Sequence, residues 1–204
     1  MKPLILISLL SIACLTSCKK DEMTTVAEGH VYEVNSTTPI PGAKVYIARE
    51  KRYTYGIKFI KLDSTICNEN GKFKLSSTSS NIDLVIYTDK KDGYFDMLED
   101  KLNVPELTPG EYNRINVHPI PYAWVRINYD QLDPTHGVYI NRITGTGRID
   151  GFSLTSDTSA ISRTYGNNDV ELSTFYNVSG QQVNHEYISE TTGSHDTTEV
   201  DISF

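Results

Sequence analysis

Apolar side chains in this sequence return at every second position and almost nowhere at the three-to-four spacing of a helix. Ala43, Val45 and Ile47 alternate with Lys44 and Tyr46, Phe73 and Leu75 alternate with Lys72 and Lys74, and Ile115-Asn116-Val117 repeats the pattern. Ile82 to Tyr87 is nearly continuous apolar and is expected to form a central strand covered on both faces. Between these runs lie Pro39-Ile40-Pro41-Gly42, Asn68-Glu69-Asn70-Gly71 and Lys90-Lys91-Asp92-Gly93, where Gly and Asn supply the positive φ that tight turns require. Short strands punctuated in this way specify an all-β chain. The one candidate helix is short, from Tyr94 to Lys101.

His118-Pro119-Ile120-Pro121 interrupts the series, because two prolines two apart remove ladder donors and exclude a central strand. A second alternating series follows. Ala123, Val125 and Ile127 share one face of a strand whose other face carries Trp124, Arg126 and Asn128. Further runs cover Val138 to Ile143, Ala160 to Thr164, Val170 to Tyr176 and Val183 to Ile188. In the last run, Thr198 to Phe204, the residues Val200, Ile202 and Phe204 are expected to face inward, with Glu199 and Asp201 in water. Six or seven strands on each side of the prolines predict two small antiparallel β-sandwich domains, residues 25–118 and 119–204.

The start predicts an address. Met1-Lys2-Pro3 is followed by an apolar run from Leu4 to Leu15, too short for a ~30 Å hydrocarbon core, which needs roughly 20 residues. A basic start with a short apolar region is the pattern of a secretory signal, here residues 1–17. Leu15-Thr16-Ser17-Cys18 resembles the bacterial lipobox, which implies that Cys18 is acylated and becomes the N-terminus of a tether spanning 18–24. Several acyl chains give stable membrane attachment where one chain is marginal. Lys19-Lys20-Asp21-Glu22 resembles the lysine-then-acidic export signal of Bacteroidetes surface lipoproteins, against the plainer reading of a solvated charged tether. An outer-membrane lipoprotein exposed at the cell surface is therefore expected, with a periplasm-facing anchor as the alternative.

Of the three cysteines, Cys14 leaves with the signal and Cys18 takes lipid, so Cys67 stands alone and no internal disulfide is expected. Ser64-Thr65-Ile66-Cys67 reads as a strand before a turn, with Cys67 as a small buried hydrophobe. The formal charge of −7 argues against a nucleic-acid partner, which needs a basic surface to neutralise phosphates.

Glu28-Gly29-His30-Val31-Tyr32, Thr38 to Ile47 and Asn68 to Phe73 stand in the order of a known pattern: a G-x-V strand, a P-I-x-G-A-x-V turn and strand, and an N-x-x-G-x-F hairpin. Residues 25–118 thus resemble the carboxypeptidase regulatory-like, transthyretin-type domain. The resemblance implies a β-sandwich acting as an appendage or assembly module, with no active site. Pro121-Tyr122-Ala123-Trp124, Tyr165-Gly166-Asn167 and Asp196-Thr197-Thr198 resemble the C-terminal part of small Bacteroidetes lipoproteins, which implies no activity.

Catalytic and metal motifs are lacking. The five histidines His30, His118, His136, His185 and His195 form no pair at ligand spacing, and His185-Glu186-Tyr187 has no second histidine four residues on. There is no Gly-x-Ser-x-Gly elbow. Gly145-Thr146-Gly147 has no lysine and no helical pattern after it. The acidic turns Asp130 to Asp133 and Asp89 to Asp92 lack the dense alternating carboxylates of a calcium loop. No enzyme activity, metal or cofactor is expected.

Two features point to contact chemistry. Thirteen tyrosines, with Tyr122 beside Trp124, offer aromatic surfaces for sugars or proteins, against the plainer reading that tyrosine simply suits strands. Asp63-Ser64-Thr65 and Asp196-Thr197-Thr198 resemble the Asp-Ser/Thr-x O-glycosylation site of Bacteroidetes secreted proteins, making Ser64 and Thr197 candidate glycan carriers. The expected function is a lipid-anchored, non-enzymatic binding module for an envelope protein or glycan. A structural or assembly component of an outer-membrane complex is the alternative, and a hydrolase with a diffuse site is the remote third reading.

Overall fold

The computed structural model describes residues 22–80, 83–98, 104–130, 132, 136–143, 152–154, 158–178 and 181–203. The order of strands is β1 Met23–His30, β2 Lys44–Tyr53, β3 Gly56–Ile66, β4 Lys72–Ser79, β5 Leu84–Thr88, β6 Glu106–Leu107 and β7 Tyr112–Arg114. The second series is β8 Tyr122–Asp130, β9 His136–Ile143, β10 Phe152–Leu154, β11 Thr158–Tyr165, β12 Asn168–Val178, β13 Gln181–Thr192 and β14 Thr197–Ser203. No helix occurs among the described residues: Tyr94 to Leu98 makes a bridge and a turn, and residues 99–101 of the expected helix lie outside them.

Four sheets result, ordered β4-β1-β7, β3-β2-β5-β6, β11-β8-β14 and β10-β9-β12-β13. Counted from its own first strand, each series of seven has the same arrangement, 4-1-7 and 3-2-5-6. The two four-stranded sheets are antiparallel, as expected, and the two three-stranded sheets are mixed. In each series the last strand runs parallel to the first, β7 to β1 and β14 to β8. A hairpin cannot make such a pair, so these contacts close each series between its two ends.

Alternation explains the packing. Along β4 every second residue is buried, Phe73, Leu75, Ser77 and Ser79, while Lys72 and Lys74 are exposed. All five residues of β5, Leu84 to Thr88, are buried, as expected of a strand covered on both faces. Leu84 to Tyr87 belong to the first core with Val45, Ile47, Phe73, Leu75 and Val117. The second core collects Val125, Ile127, Tyr129, Val170, Leu172, Val200 and Ile202. Each large apolar side chain buried contributes roughly 1.5–3 kcal/mol, so these two clusters dominate what holds the chain together.

Glycines permit the close approaches. Gly71 lies at φ 70° in the Asn68–Lys72 turn, where Asn68 Oδ1 accepts from the backbone N–H groups of Asn70 and Lys72. A Cβ on Gly29 would lie 1.8 Å from the carbonyl oxygen of Ile115. The parallel segment after β7 can therefore pass against β1 only because position 29 has no side chain; Ile115 N–H donates to Glu28 O and Val117 N–H to His30 O. Cys67 is buried, and its thiol donates to the Ile40 carbonyl at 3.1 Å. Burial pushes that thiol pKa up, so it is a poor nucleophile.

Candidate functional site

β8 is the middle strand of its sheet, and its alternation sorts its residues cleanly. Ala123, Val125, Ile127 and Tyr129 are buried, while Tyr122, Trp124, Arg126 and Asn128 lie on the opposite face. Register places Trp124 between Arg163 of β11 and Thr197 of β14, and Arg126 between Ile161 and Glu199. On this face Arg163, Ile161, Arg126, Glu199 and Asp201 are exposed, and Trp124 and Thr197 are half-buried.

The face has two ends of different chemistry. At one, the Arg163 guanidinium stands 4.4 Å from the Tyr122 ring centroid and 5.4 Å from that of Phe95. Phe95 meets Tyr122 and Tyr165 edge-on, each at 4.7 Å. Such contacts fix an otherwise mobile cation and leave one flank of it open. At the other end Arg126 pairs with Glu199 at 2.6 Å, and the Asn128 amide donates to Glu199 and Asp201. A rigid strip of aromatic, guanidinium and carboxylate groups is chemically suited to stacking and hydrogen bonding with a polar partner.

Beside the strip, the two series of strands meet. Glu33, only 5% exposed, accepts from the Tyr94 hydroxyl at 2.8 Å and from the Asn167 amide at 3.3 Å. His195 Nε2 lies 3.6 Å from the same carboxylate, and its ring meets Tyr94 edge-on at 5.1 Å. Burial, followed by the Glu33 hydrogen bond, pushes the Tyr94 hydroxyl pKa well up, keeping it protonated as a donor. Backbone bonds reinforce the contact: Tyr122 N–H to Gly93 O at 2.7 Å, Phe95 N–H to Ile120 O at 2.9 Å and Val34 N–H to Pro119 O at 3.1 Å. The Asn35 amide adds a bond to Asn167 O at 3.0 Å. An open depression of about 1010 Å³ lies alongside, lined by Val34 to Thr37, Val104, Pro105 and His118.

The residues singled out by sequence fall in different places. Cys18, Lys19, Lys20 and Asp21 lie outside the described residues, and Glu22 is exposed. Ser64 is exposed on β3. Thr197 stands next to Trp124; the backbone N–H of Ser64 donates to Asp63 Oδ1 and that of Thr197 to Asp196 Oδ1. Tyr122 and Trp124 share a face, but Tyr122 is engaged by Phe95 and Arg163 rather than free. No group of three His, Cys, Asp or Glu placed to hold a metal occurs among the described residues. Gly145 to Gly147 and Asp133 lie outside the described residues. Sequence reasoning passed over Glu33, Phe95 and Arg163. For Glu33 the available signal was a carboxylate set between Tyr32 and Val34 in an apolar run.

No protein-family description and no curated protein sequence matches the chain. Among solved structures it is similar to the Bacillus anthracis TIE protein, at 13% identity and a TM-score of 0.36, covering 89% of this chain and 34% of that one. A DUF3823 family protein from Parabacteroides merdae aligns at 10% identity and a TM-score of 0.33, covering 83% and 99% of the two chains. A bacterial adhesin from Mobiluncus mulieris aligns at 11% identity and a TM-score of 0.33, covering 89% and 100%. The chain spans about a third of the TIE protein and 62% of a streptococcal ancillary pilin. Likenesses at these scores carry no activity or partner over to this chain.

Proposed function

We propose that this chain is a non-enzymatic, lipid-anchored envelope protein whose two seven-strand modules display a binding face for a protein or glycan at the cell surface. The observation that carries the reading is the strip on β11, β8 and β14, where Trp124, Arg163 and the Arg126–Glu199 pair share one solvent-facing surface. Anchoring rests on Cys18 and its flanking residues Lys19 to Glu22 as read from sequence. The resemblance of residues 25–118 to carboxypeptidase regulatory-like domains supports a module that positions rather than reacts.

Protease treatment of intact source cells tests the location, followed by glycan and surface-protein arrays probed with wild type and Trp124→Ala. The reading expects cleavage on intact cells and a saturable signal that the variant loses. Protection until the envelope is opened removes the surface assignment. Equal array signals from the two proteins remove the strip as the binding face.

A further inference from the structure

The β2–β3 hairpin outgrows its sheet. Pairing of β2 with β5 ends at Arg49, and the last bond to that side is Glu50 N–H to Asp83 O at 2.9 Å. β2 and β3 stay paired to Tyr53 and Gly56. At ~3.4 Å per residue the arm reaches roughly 10 Å past Glu50 with neither face covered. All eight residues from Lys51 to Lys58, KRYTYGIK, are exposed, including Tyr55 at 99%, Tyr53 at 52% and Ile57 at 41%.

The charge of the arm opposes that of the chain. Lys51, Arg52 and Lys58 are its ionisable side chains apart from the tyrosines, whereas the whole chain carries −7. The nearby carboxylates Glu50, Asp83 and Glu106 stand at its base around Arg52, which pairs with Glu50. Lys51 is directly opposite Lys58 in the register, an arrangement that is unfavourable in a sheet unless an anion relieves it. Lys51 Nζ lies 5.0 Å from the Tyr53 ring centroid, so cation and aromatic are presented together. Lys51 and Lys58 stand on the first rung beyond Glu50, and the tip from Tyr53 to Gly56 carries aromatic rings and no charge, so the arm presents an aromatic tip above a pair of lysines.

Direction identifies the partner. Met23 pairs with Ser79 at the end of β4, and the chain then returns at Asp83, bonded to Glu50. Gly110 N–H, in the turn between β6 and β7, donates to Thr25 Oγ1 at this same end. The arm therefore leaves the sandwich beside the start of β1, while the contact with the second series of strands is made beyond the other end, at Glu33 to Asn35. Four residues, Lys19 to Glu22, lie between Cys18 and Met23, and the five steps reach at most roughly 17 Å, enough to let a ~10 Å arm touch the surface that holds the anchor.

We propose that the Lys51–Lys58 arm is a membrane-docking element that seats on anionic lipid headgroups, with Tyr53, Tyr55 and Ile57 at the interface and Lys51 and Lys58 on phosphates. The direction of approach rests on the Cys18 anchor proposed above. Aromatic side chains favour that boundary, and lysine stems reach from it to the headgroups. Each basic residue near an anionic surface contributes about 1 kcal/mol, so neutralising Lys51 and Lys58 together is expected to shift the seated-to-free ratio roughly thirtyfold.

The test uses the full chain purified from membranes, with Tyr55→Cys carrying an environment-sensitive dye and Cys67 left buried. Mass spectrometry of the N-terminus reports acylation of Cys18 separately. Protein is placed on phosphatidylcholine vesicles with or without phosphatidylglycerol, by reconstitution if acylated and by addition from outside if not. The expected result is a blue-shifted, brighter dye on the anionic vesicles, reversed by high salt and lost in Lys51→Gln/Lys58→Gln. Identical spectra on both vesicles, or no effect of the double variant, overturn the arm as a docking element. A blue shift that depends on protein concentration and not on lipid charge also overturns it, in favour of contact between two copies. An N-terminus without lipid removes the anchor while the added vesicles still decide the arm.

Discussion

The Tyr94 hydroxyl donates to the Glu33 carboxylate across 2.8 Å, with Tyr94 and Glu33 both buried. Tyr94 follows Gly93, whose carbonyl accepts from Tyr122 at the head of the second series of strands. The Asn167 amide and the His195 ring reach the same carboxylate from that series. A buried acid thus takes partners from both sides, and its hydrogen bonds act together with the edge-on packing of Phe95 on Tyr122 and Tyr165.

Removing the strongest of these donors should be costly. Tyr94→Phe leaves one Glu33 oxygen short of its donor in a buried setting, a loss of about 1–3 kcal/mol. Glu33→Gln, which can still accept from Tyr94, is expected to cost less. Urea unfolding with the midpoint and slope both recorded checks this. A Tyr94→Phe midpoint equal to wild type would mean that Asn167 and His195 already satisfy the carboxylate.

Gly29 sets a second test. Its missing side chain admits the Ile115 carbonyl, and a built Cβ would sit at 1.8 Å from that oxygen. Gly29→Ala must push the segment after β7 away from β1, so the parallel bonds at Glu28 and His30 lengthen or break. Overpacking of this kind costs about 1–3 kcal/mol. Hydrogen exchange at the Ile115 and Val117 amides is expected to rise more than exchange in β5. Uniform exchange across the first core would disprove the local account.

Much of this architecture was legible because period two was so regular. β4, β5, β8 and β14 were readable from alternation or from a continuous apolar run, and Val200 and Ile202 were placed inward correctly. β3 was missed along most of its length, since Ile57 and Phe59 alternate in one phase and Ile60 and Leu62 in the other, where the pairing with β2 shifts register. Parallel closure by β7 and β14 was invisible, because pairing between the ends of a series leaves no local mark. The same held for the repeated strand order, which no shared motif announces. At the candidate face, Trp124 and Tyr122 could be seen together on one strand, but Arg163 and Thr197 arrive beside Trp124 only through register. Glu33 is harder still, because its partners lie 61 to 162 positions away.

Acid should act at Glu28. Hydrogen bonding from Tyr112, then from Lys72 and Lys74, lowers its pKa from 4.5 to about 2. A carboxylate depressed in the folded state stabilises fully above its unfolded pKa and loses that contribution as pH falls from 4.5 toward 2. Wild type is therefore expected to exceed Glu28→Gln in stability near neutrality, with the gap closing across that window. Both lysines are about half-exposed or more, so salt should narrow the gap as well. Denaturation of the two proteins at a series of pH values reads it directly, and a gap that widens in acid would refute the assignment.

Trp124 offers the sharpest readout because it is the single tryptophan of the chain and lies on the candidate face. A partner seated there must alter its emission, and anchoring aromatics at interfaces commonly contribute 2 kcal/mol or more, about thirtyfold in affinity. Thr197 is its neighbour on β14. A glycan on that hydroxyl would shield the indole, so acrylamide quenching distinguishes two uses of the same surface. If Thr197 is modified, protein from its source should quench less than protein from a host without the modification, and Thr197→Val should abolish the difference. If quenching is equal in both preparations, the face is bare, and a ligand that changes Trp124 emission in wild type should bind Trp124→Ala roughly thirtyfold more weakly. Arg163→Ala should weaken the same ligand, since its guanidinium stands over Tyr122 at 4.4 Å beside the indole position. Unchanged affinity in both variants would move the binding surface off this sheet.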